Sequence, residues 1–416
     1  MTKEVKNVPD LRFPGFENTW ETKKLHQIVD VKDGTHESPK PTDDGYLLVT
    51  SKNLKNSTLD FSESYSISKE DYEDINKRSK VEIGDILFGM IGTIGNPILL
   101  EKDGFAIKNV ALLKTSSLQE REYILNFLKS NSITKQFYKL NVGGTQKFIS
   151  LRSIRDLKID IPSSEEAIKI GGFFNKLDQQ IELEEQKLSL LEEQKKGYMQ
   201  QIFSQKLRFK DESGNDYPEW EEKKFSELLS YSSNGVDKKI NKNNDIAYMV
   251  NYMDVFKKTK LNTKNRDLLM EITATKIQKE KNNLKKGDIL FTPSSETRED
   301  IAKSTVVFED LDNTVYSYHL IRLRPLDSNI FSLKYSNYLS EQNFISKQFR
   351  RLAQGAQRYT LTKEYFENIK LNLPHIKEQE KIGDFFSKLD EVINKQSQKV
   401  DELKLRKQGF LQKMFV

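Results

Sequence analysis

The sequence contains no cysteine, only four histidines and no long apolar run. Without cysteine the chain has no disulfide scaffold, no thiolate zinc site and no cysteine nucleophile, and four histidines leave little material for a histidine-rich metal site. The longest weakly polar run, residues 86–100, is too short and too interrupted by glycine, proline and polar residues to span a bilayer. The polar N-terminus has no apolar signal core, so we expect a cytoplasmic protein with no membrane partner.

The charges of the chain nearly balance, with 67 basic and 62 acidic side chains among 416 residues and a net charge of +5. This mild excess permits a nucleic-acid partner but does not argue for one. The length allows two or three domains, each large enough to bury a core of its own.

The sequence contains an internal repeat, because six short segments of its first half recur in the same order in its second half. The pairs are Leu11-Arg12-Phe13 with Leu207-Arg208-Phe209, Trp20 with Trp220, Gly84–Phe88 with Gly287–Phe291, Lys135-Gln136-Phe137 with Lys347-Gln348-Phe349, Gly144–Phe148 with Gly355–Tyr359, and Ile170–Asp178 with Ile382–Asp390. The pattern predicts two similar units with a boundary near residue 207.

Each unit ends in a long segment with a seven-residue apolar repeat, which is typical of a coiled-coil helix. The predicted seam consists of Phe174, Leu177, Ile181, Leu188, Leu191 and Tyr198 in the first segment and Phe386, Leu389, Ile393, Val400, Leu403 and Phe410 in the second. Polar residues interrupt the two seams at matching places, Glu184 with Gln396 and Lys195 with Lys407, and such residues fix register. We expect the two helices of one chain to pair; two separate exposed helices and a homodimer zipper are the alternatives.

The order of globular part, long helix, globular part and long helix constrains the architecture. If the helices pack on each other, the second must return along the first, so the pair is antiparallel, with a pseudo-two-fold axis across it and the globular parts at opposite ends. Each globular part is predicted to be mixed α/β, with short strands between turn residues. In the first part the strands are expected at Tyr46–Thr50, Asp85–Phe88, Ala106–Leu113 and Leu157–Ile161, and a helix at Glu120–Leu140 has its counterpart at Leu333–Leu352.

Two similar modules held apart by a rigid spacer suit a ligand with two separated sites, and duplex DNA is the obvious one. Three segments per unit are candidates for contact. The glycine loop lets backbone approach closely and carries Gln with Lys or Arg, which can contact bases or phosphate. The helix before it has a basic face suited to phosphate. The segment after the Gly-Asp-Ile-Leu-Phe strand differs completely between the units, with residues 89–96 in one and 292–298 in the other. The early loops, Asp33–His36 and Ser232–Gly235, differ as well, as expected if two modules read different sequences.

These segments give a set of residues expected to contact DNA. They are Thr35, His36, Thr93, Lys135, Lys139, Gly144, Thr145, Gln146, Lys147, Asn234, Ser294, Ser295, Thr297, Arg298, Lys347, Arg350, Arg351, Gln357, Arg358 and Tyr359. Ordinary glycine turns, solvated helix faces and neutral drift of loops would produce the same patterns. For Asp33 and His36, an Asp-Gly turn closed by the imidazole explains the residues as well as base contact does.

Two catalytic motifs are missing from the sequence. It has no Gly-x-x-x-x-Gly-Lys-Ser/Thr loop for ATP, and no Asp/Asn-Pro-Pro-Tyr/Phe motif of adenine methyltransferases; the nearest string, Asn372–His375, lacks the second proline and the aromatic residue. The glutamates at 184, 185, 192 and 193 have coiled-coil spacing, so we interpret them as solvated or register-setting and not as an acid/base pair.

The duplicated plan, the Gly-Asp-Ile-Leu-Phe strand, the glycine loop ending in Gln-Lys/Arg-aromatic, and the Ile-Gly-x-Phe-Phe-x-Lys-Leu-Asp helix together resemble a type I restriction–modification specificity subunit. The likeness covers essentially the whole chain, and the repeated order of the motifs makes it specific. The Asp33-Gly34-Thr35-His36 segment also resembles one class of target recognition domain in that family. The second unit lacks that segment, so the two domains belong to different subtypes.

The resemblance implies an α+β chain in which two mixed α/β target recognition domains, 1–164 and 208–376, are separated by two long antiparallel coiled-coil helices, 165–207 and 377–416, as a pseudo-two-fold repeat. It implies a non-catalytic subunit that chooses a bipartite asymmetric site on double-stranded DNA. Two modification subunits, carrying S-adenosylmethionine, would methylate adenine N6, and restriction subunits would use ATP and Mg²⁺; no cofactor is expected on this chain.

Two other functions are alternatives to this one. A single-chain nuclease or methyltransferase is opposed by the missing motifs. A structural coiled-coil adaptor without a DNA role is opposed by divergent loops on a shared frame.

Overall fold

A computed structural model of the chain describes residues 7–55, 58–92, 94–115, 117–140, 148–241 and 244–416, with the side chains of 118–120 and 140 left aside. The chain forms two compact units. The first unit contains residues 1–186 and 397–416, and the second unit contains residues 187–396. Each unit therefore includes part of both long helices.

The first unit is built around a four-stranded antiparallel sheet. In spatial order its strands are Asp30–Asp33, Val110–Lys114, Ile86–Gly89 and Gly95–Leu99. A three-stranded sheet of Tyr65–Ile67, Tyr46–Thr50 and Ala106–Lys108 contains one parallel pair, and Glu21–Lys24 pairs with Lys158–Ile161 and Leu54–Lys55 with Thr58–Leu59. The α-helices of this part are Lys69–Ser79, Leu118–Leu128, Asn131–Leu140 and Leu151–Arg155, with 3₁₀ turns at Leu25–Gln27 and Ser51–Asn53.

The second unit repeats this plan. Its matching sheet has the order Leu229–Ser232, Ile321–Pro325, Ile289–Phe291 and Ser304–Val306. A second sheet contains Met270–Ala274, Asp245–Val250, Leu311–Tyr316 and Asn283–Leu284, and two pairs join Glu221–Lys224 to Lys370–Leu373 and Ser294–Ser295 to Tyr359–Thr360. The α-helices are Phe225–Leu228, Tyr252–Phe256, Lys276–Lys281, Leu333–Ser336, Asn343–Leu352 and Lys363–Glu367, with 3₁₀ segments at Thr263–Leu268 and Leu339–Glu341.

The repeated Gly-Asp-Ile-Leu-Phe motif forms the third strand of the four-stranded sheet in both units. Its glycine has a φ of +90° at Gly84 and at Gly287, a left-handed conformation that favours glycine. Its aspartate closes the turn by accepting the backbone N–H three residues earlier, at 2.9 Å for Asp85 and 2.8 Å for Asp288. The predicted internal repeat of mixed α/β units is confirmed, and this motif is part of the frame.

Two sequence predictions about element lengths were wrong. The run Ala106–Leu113 is two strands that belong to different sheets, because Asn109 between them takes a φ of +55° and turns the chain. The expected helix at Glu120–Leu140 is two helices, since Lys129 and Ser130 donate backbone hydrogen bonds to the carbonyls three residues earlier and end the first. The counterpart at Leu333–Leu352 is likewise broken into three short segments.

The two long helices span Ser164–Phe203 and Ile376–Lys413. They run antiparallel within each unit. In the first unit the ring centroids of Phe173 and Phe410 are 4.9 Å apart, and Asp178, further along, pairs with the earlier Lys407. In the second unit Lys195 Nζ lies 2.8 Å from Asp390 Oδ1, and Tyr198, further along, meets the earlier Phe385 at 5.1 Å.

The seam positions are the less exposed side of both helices. Phe174, Leu177, Ile181, Phe386, Val400 and Leu403 are buried, while Leu188, Leu191, Tyr198, Leu389, Ile393 and Phe410 are half-buried. Glu184 pairs with Lys399, and Glu185 lies 2.6 Å from Lys404, so these two carboxylates join the helices. Glu192 and Glu193 are exposed.

The same three residues, which we call the lock, join the start of each long helix to the chain segment that begins the same sequence repeat. Glu166, fully buried, accepts two hydrogen bonds from Arg12 at 2.6 and 2.8 Å and one from the Trp20 indole at 3.1 Å. In the second unit the set is Glu378, Arg208 and Trp220. The Leu-Arg-Phe and Trp repeats of the sequence are therefore explained by a buried carboxylate on the helix.

The charged clusters beside the two seams differ between the units. In the second unit Lys195 pairs with both Asp390 and Glu341, and Lys258 also pairs with Glu341. In the first unit the position that corresponds to Glu341 is occupied by Lys129. Among the described residues Lys129 makes no ion pair, and burial, with the nearby charge of Lys407, lowers the pKa of its amine to about 8, an effect that Asp178 partly offsets.

Replacing Lys129 with Met is expected to stabilise the first unit at pH 7. The unfolded amine titrates near 10.5, so protonation between pH 10.5 and 8 favours the unfolded chain, and the penalty is complete below pH 8. We expect a gain of about 1–3 kcal/mol in the free energy of unfolding at pH 7 that disappears as the pH rises to 10.5. Urea unfolding measured across this pH range tests it, with the exposed Lys135→Met as the matched control. A variant less stable than the wild type at pH 7 would contradict the account.

Candidate nucleic-acid interface

Two of the predicted contact segments lie side by side in each unit. In the first unit the Ile149 N–H donates to the Met90 carbonyl at 2.9 Å, and in the second the Leu361 N–H donates to the Pro293 carbonyl, also at 2.9 Å. These bonds join the segment after the Gly-Asp-Ile-Leu-Phe strand to the chain one or two residues beyond the aromatic residue that ends the glycine loop. Thr93, Gly144, Thr145, Gln146 and Lys147 lie outside the described residues, so for them contact with DNA stays a prediction.

The Lys-Gln-Phe repeat divides its three side chains between frame and surface. Gln136 makes two hydrogen bonds of 2.9 Å with the backbone of Lys158, and Gln348 does the same with Lys370 at 2.8 and 3.0 Å. The phenylalanines, 137 and 349, pack into the cores of their units. Lys135, Lys139, Lys347 and Arg351 are exposed on their helices, and Arg350 is half-buried and donates to Ser346. Each helix thus presents a basic face, and in the sequence each helix directly precedes a glycine loop.

The glycine loop of the second unit is a closed hairpin. Gln354 and Thr360 exchange backbone hydrogen bonds of 3.2 and 2.8 Å. Gly355 has a φ of +139°, and a Cβ there would come within 1.9 Å of the Arg358 carbonyl oxygen, so only glycine fits. The loop therefore holds Gln357 and Arg358 exposed at its tip.

The facing segment of the second unit is a braced turn. Ser295 is buried and donates to the Thr297 carbonyl, and the Thr297 hydroxyl donates to Asp300 at 2.8 Å, so these two side chains hold the turn. Ser294, half-buried, accepts a 3.0 Å hydrogen bond on its carbonyl from the Tyr252 hydroxyl. Burial raises the pKa of Tyr252, which keeps this phenol protonated as a donor. Arg298 stands exposed on the turn, above the ring of Tyr359.

The early loops of the two units pack against the sheets in the same way, although their sequences differ. A Cβ on Gly34 would lie 2.2 Å from the Ile107 carbonyl oxygen, and one on Gly235 would lie 2.4 Å from the backbone of Ser317. Both glycines let the loop pack closely against the backbone of a strand or its end. The sequence prediction missed this shared feature, which an alignment of Gly34 with Gly235 would have indicated. Beside them, half-buried Thr35 and exposed Asn234 occupy the loop surfaces.

The Asp-Gly-Thr-His segment of the first unit is braced by a polar network. Asp33 lies 3.0 Å from the His36 imidazole and 3.0 Å from the Arg78 guanidinium, and the other ring nitrogen of His36 lies 2.7 Å from Asn109. The turn closed by imidazole is therefore present. His36 remains exposed, and its contact with a base stays a prediction.

Within the described ranges, no group of three or more His, Asp or Glu side chains is arranged to hold a metal ion. Over the same ranges, no helix has both the length and the apolar character that crossing a bilayer requires.

Comparison with protein families gives two matches along the chain. The model of the type I restriction modification DNA specificity domain matches residues 17–193 and again residues 217–405. A putative type I restriction enzyme MjaX specificity subunit from Methanocaldococcus jannaschii is 24% identical over 420 residues, covering 92% of this chain and 91% of that protein. The type I restriction enzyme MjaVIII specificity subunit of the same organism is 22% identical over 345 residues, covering 79% and 78%.

Solved structures share the fold. The S subunit of a type I restriction–modification system from M. genitalium aligns with a TM-score of 0.58 at 15% identity, over 98% of this chain and 99% of that one. A chain from a study of complex assembly and conformational transition of the type I R-M system aligns with a TM-score of 0.59 at 14% identity, over 96% and 98%. Both likenesses extend over both halves of the repeat.

Proposed function

This chain belongs to the type I restriction–modification DNA specificity family, and we propose that each of its two units reads one half of a bipartite, asymmetric site on double-stranded DNA. The family assigns the chain the role of specificity subunit. Within that role, each unit recognises its own half-site. The paired long helices set the number of unread base pairs between the half-sites.

One observation carries the proposal: the same backbone frame presents different side chains in the two units. The bond from Ile149 to Met90 and the bond from Leu361 to Pro293 are equal in length and equivalent in place. The segments that they hold read Gly-Met-Ile-Gly in one unit and Thr-Pro-Ser-Ser in the other. Base edges in the major groove are distinguished by the side chains that face them, so a common frame with different side chains suits two different half-sites.

The basic helix faces supply the contacts that do not depend on sequence. Exposed lysines and arginines beside each loop neutralise phosphates and set the register of the protein on the duplex. Binding should therefore weaken steeply as the salt concentration rises.

The chemistry resides in other subunits. Two modification subunits, with S-adenosylmethionine, methylate adenine N6 in each half-site, and restriction subunits, with ATP and Mg²⁺, translocate and cleave DNA. The absence of ATP-loop and methyltransferase motifs from the sequence supports this division of labour.

Mapping of methylated adenines across the host genome, with and without this chain, tests the proposal. We expect a two-part motif, methylated on both strands, that disappears when the chain is deleted and returns when it is restored. A deletion of the modification subunit is the matched control and should abolish the same motif. A methylation map unchanged by deletion of the chain, or a motif without an unread gap, would contradict the proposal.

A further inference from the structure

One arginine of the second unit is held differently from the other exposed basic residues at the interface. The guanidinium carbon of Arg298 lies 4.9 Å from the centroid of the Tyr359 ring. Arg298 makes no ion pair or hydrogen bond with any other described residue. Lys347 and Arg351, which are also predicted to contact DNA, are exposed on a helix and have no aromatic ring beneath them in the described part of the chain.

Both partners of this cation–π pair stand on braced backbone. Tyr359 is paired with Ser295 in a short antiparallel ladder, and its ring packs against the core of the unit. The turn that carries Arg298 is braced on the other side by Thr297 and Asp300. The guanidinium is therefore pre-oriented, and less side-chain entropy is lost when it binds.

The contact with the ring leaves N–H donors of the guanidinium available. A guanidinium that rests on a ring keeps its N–H donors in one plane, directed outward. Two parallel N–H donors match the O6 and N7 acceptors of guanine in the major groove, which is the commonest specific arginine contact with DNA. Adenine presents an amino donor in place of O6 and cannot accept both bonds. A phosphate contact would need only a charge within reach, which the neighbouring helix already supplies.

From these contacts we propose that Arg298, supported by Tyr359, reads a guanine in the half-site of the second unit. The inference rests on the proposed function and adds the base and the residue that reads it. It is specific to this unit, because residues 89–96, which follow the same strand in the first unit, contain no arginine.

The test uses the full chain in complex with its modification subunit. The wild-type complex methylates a pool of duplexes in which one half-site at a time is randomised, and sequencing gives the preference at each position. Arg298→Ala should reduce the preference for guanine at one position of one half-site by roughly 10- to 100-fold and leave the other positions unchanged. Tyr359→Leu should weaken the same position, whereas Tyr359→Phe, which keeps the ring, should not.

Arg152→Ala is the matched control, since Arg152 is a highly exposed arginine outside the set of predicted DNA contacts, and it should leave the guanine preference unchanged. A loss of methylation in Arg298→Ala that is uniform over all sequences would show a phosphate contact and overturn the inference, as would an unchanged guanine preference. A wild-type complex that shows no preference at either half-site would instead overturn the proposed function. The two failures are therefore distinguishable.

Discussion

Glu378→Ala is expected to lower the free energy of unfolding of the second unit by about 3–5 kcal/mol, the usual result of removing one partner of a buried ion pair. Glu378 is fully buried and accepts hydrogen bonds from Arg208 at 3.1 and 2.7 Å and from the Trp220 indole at 2.9 Å. Without the carboxylate, the guanidinium and the indole N–H are left without these bonds. The carboxylate also lies in the first turn of the helix, where the positive end of the helix dipole favours a negative charge.

Hydrogen exchange measured by mass spectrometry at increasing urea concentrations reports the stability of each unit separately. Glu380→Ala is the matched control, because Glu380 is on the same turn but pairs with Lys377 at the surface, where both side chains are about half exposed. That control should change the stability by less than about 1 kcal/mol. A Glu378→Ala variant within 1 kcal/mol of the wild type would show that the lock does not hold the unit together.

The heptad pattern and the repeated motifs were sufficient to predict the duplicated plan, because periodicity and repetition can be recognised in the sequence without knowing which residues are in contact. The strand at Ile86–Gly89 and its partner at Ile289–Phe291 lie where the repeat placed them. The long helices begin and end within a few residues of the predicted bounds.

Long-range contacts were not predictable in the same way. Glu166 and Glu378 look like ordinary acidic residues in a first helical turn, and nothing near them in sequence shows that each is buried by an arginine more than 150 residues away. The split of Ala106–Leu113 was missed because both halves are β-prone, and only the backbone of Asn109 separates them.

The candidate interface was predicted in part. The sequence identified Arg298 and Tyr359 separately, from a divergent segment and from a repeated loop, but not that the two lie in contact. Ser295 is buried in the turn, where it supports its neighbours, and the sequence did not predict this role. For all of the residues expected to contact DNA, that contact stays a prediction.

The second large effect is expected from lengthening both long helices by one heptad. Seven residues inserted after Gln186 and seven after Gln396 would preserve the seam register of each helix and add about 10 Å to each. If the helix pair sets the gap between half-sites, the native spacing should no longer be methylated. A longer gap, by up to about 3 base pairs at 3.4 Å per step, should be methylated in its place.

The most direct measurement of this central claim is the methylation of a duplex library that combines both half-sites with every gap length, by the wild-type and the lengthened chain, each in complex with the modification subunit. An insertion of seven residues in the first helix alone is the control and should impair methylation at all gap lengths, because the two seams no longer match. The account predicts unchanged half-sites and a longer gap for the doubly lengthened chain. Altered half-sites, or the native gap retained, would contradict it.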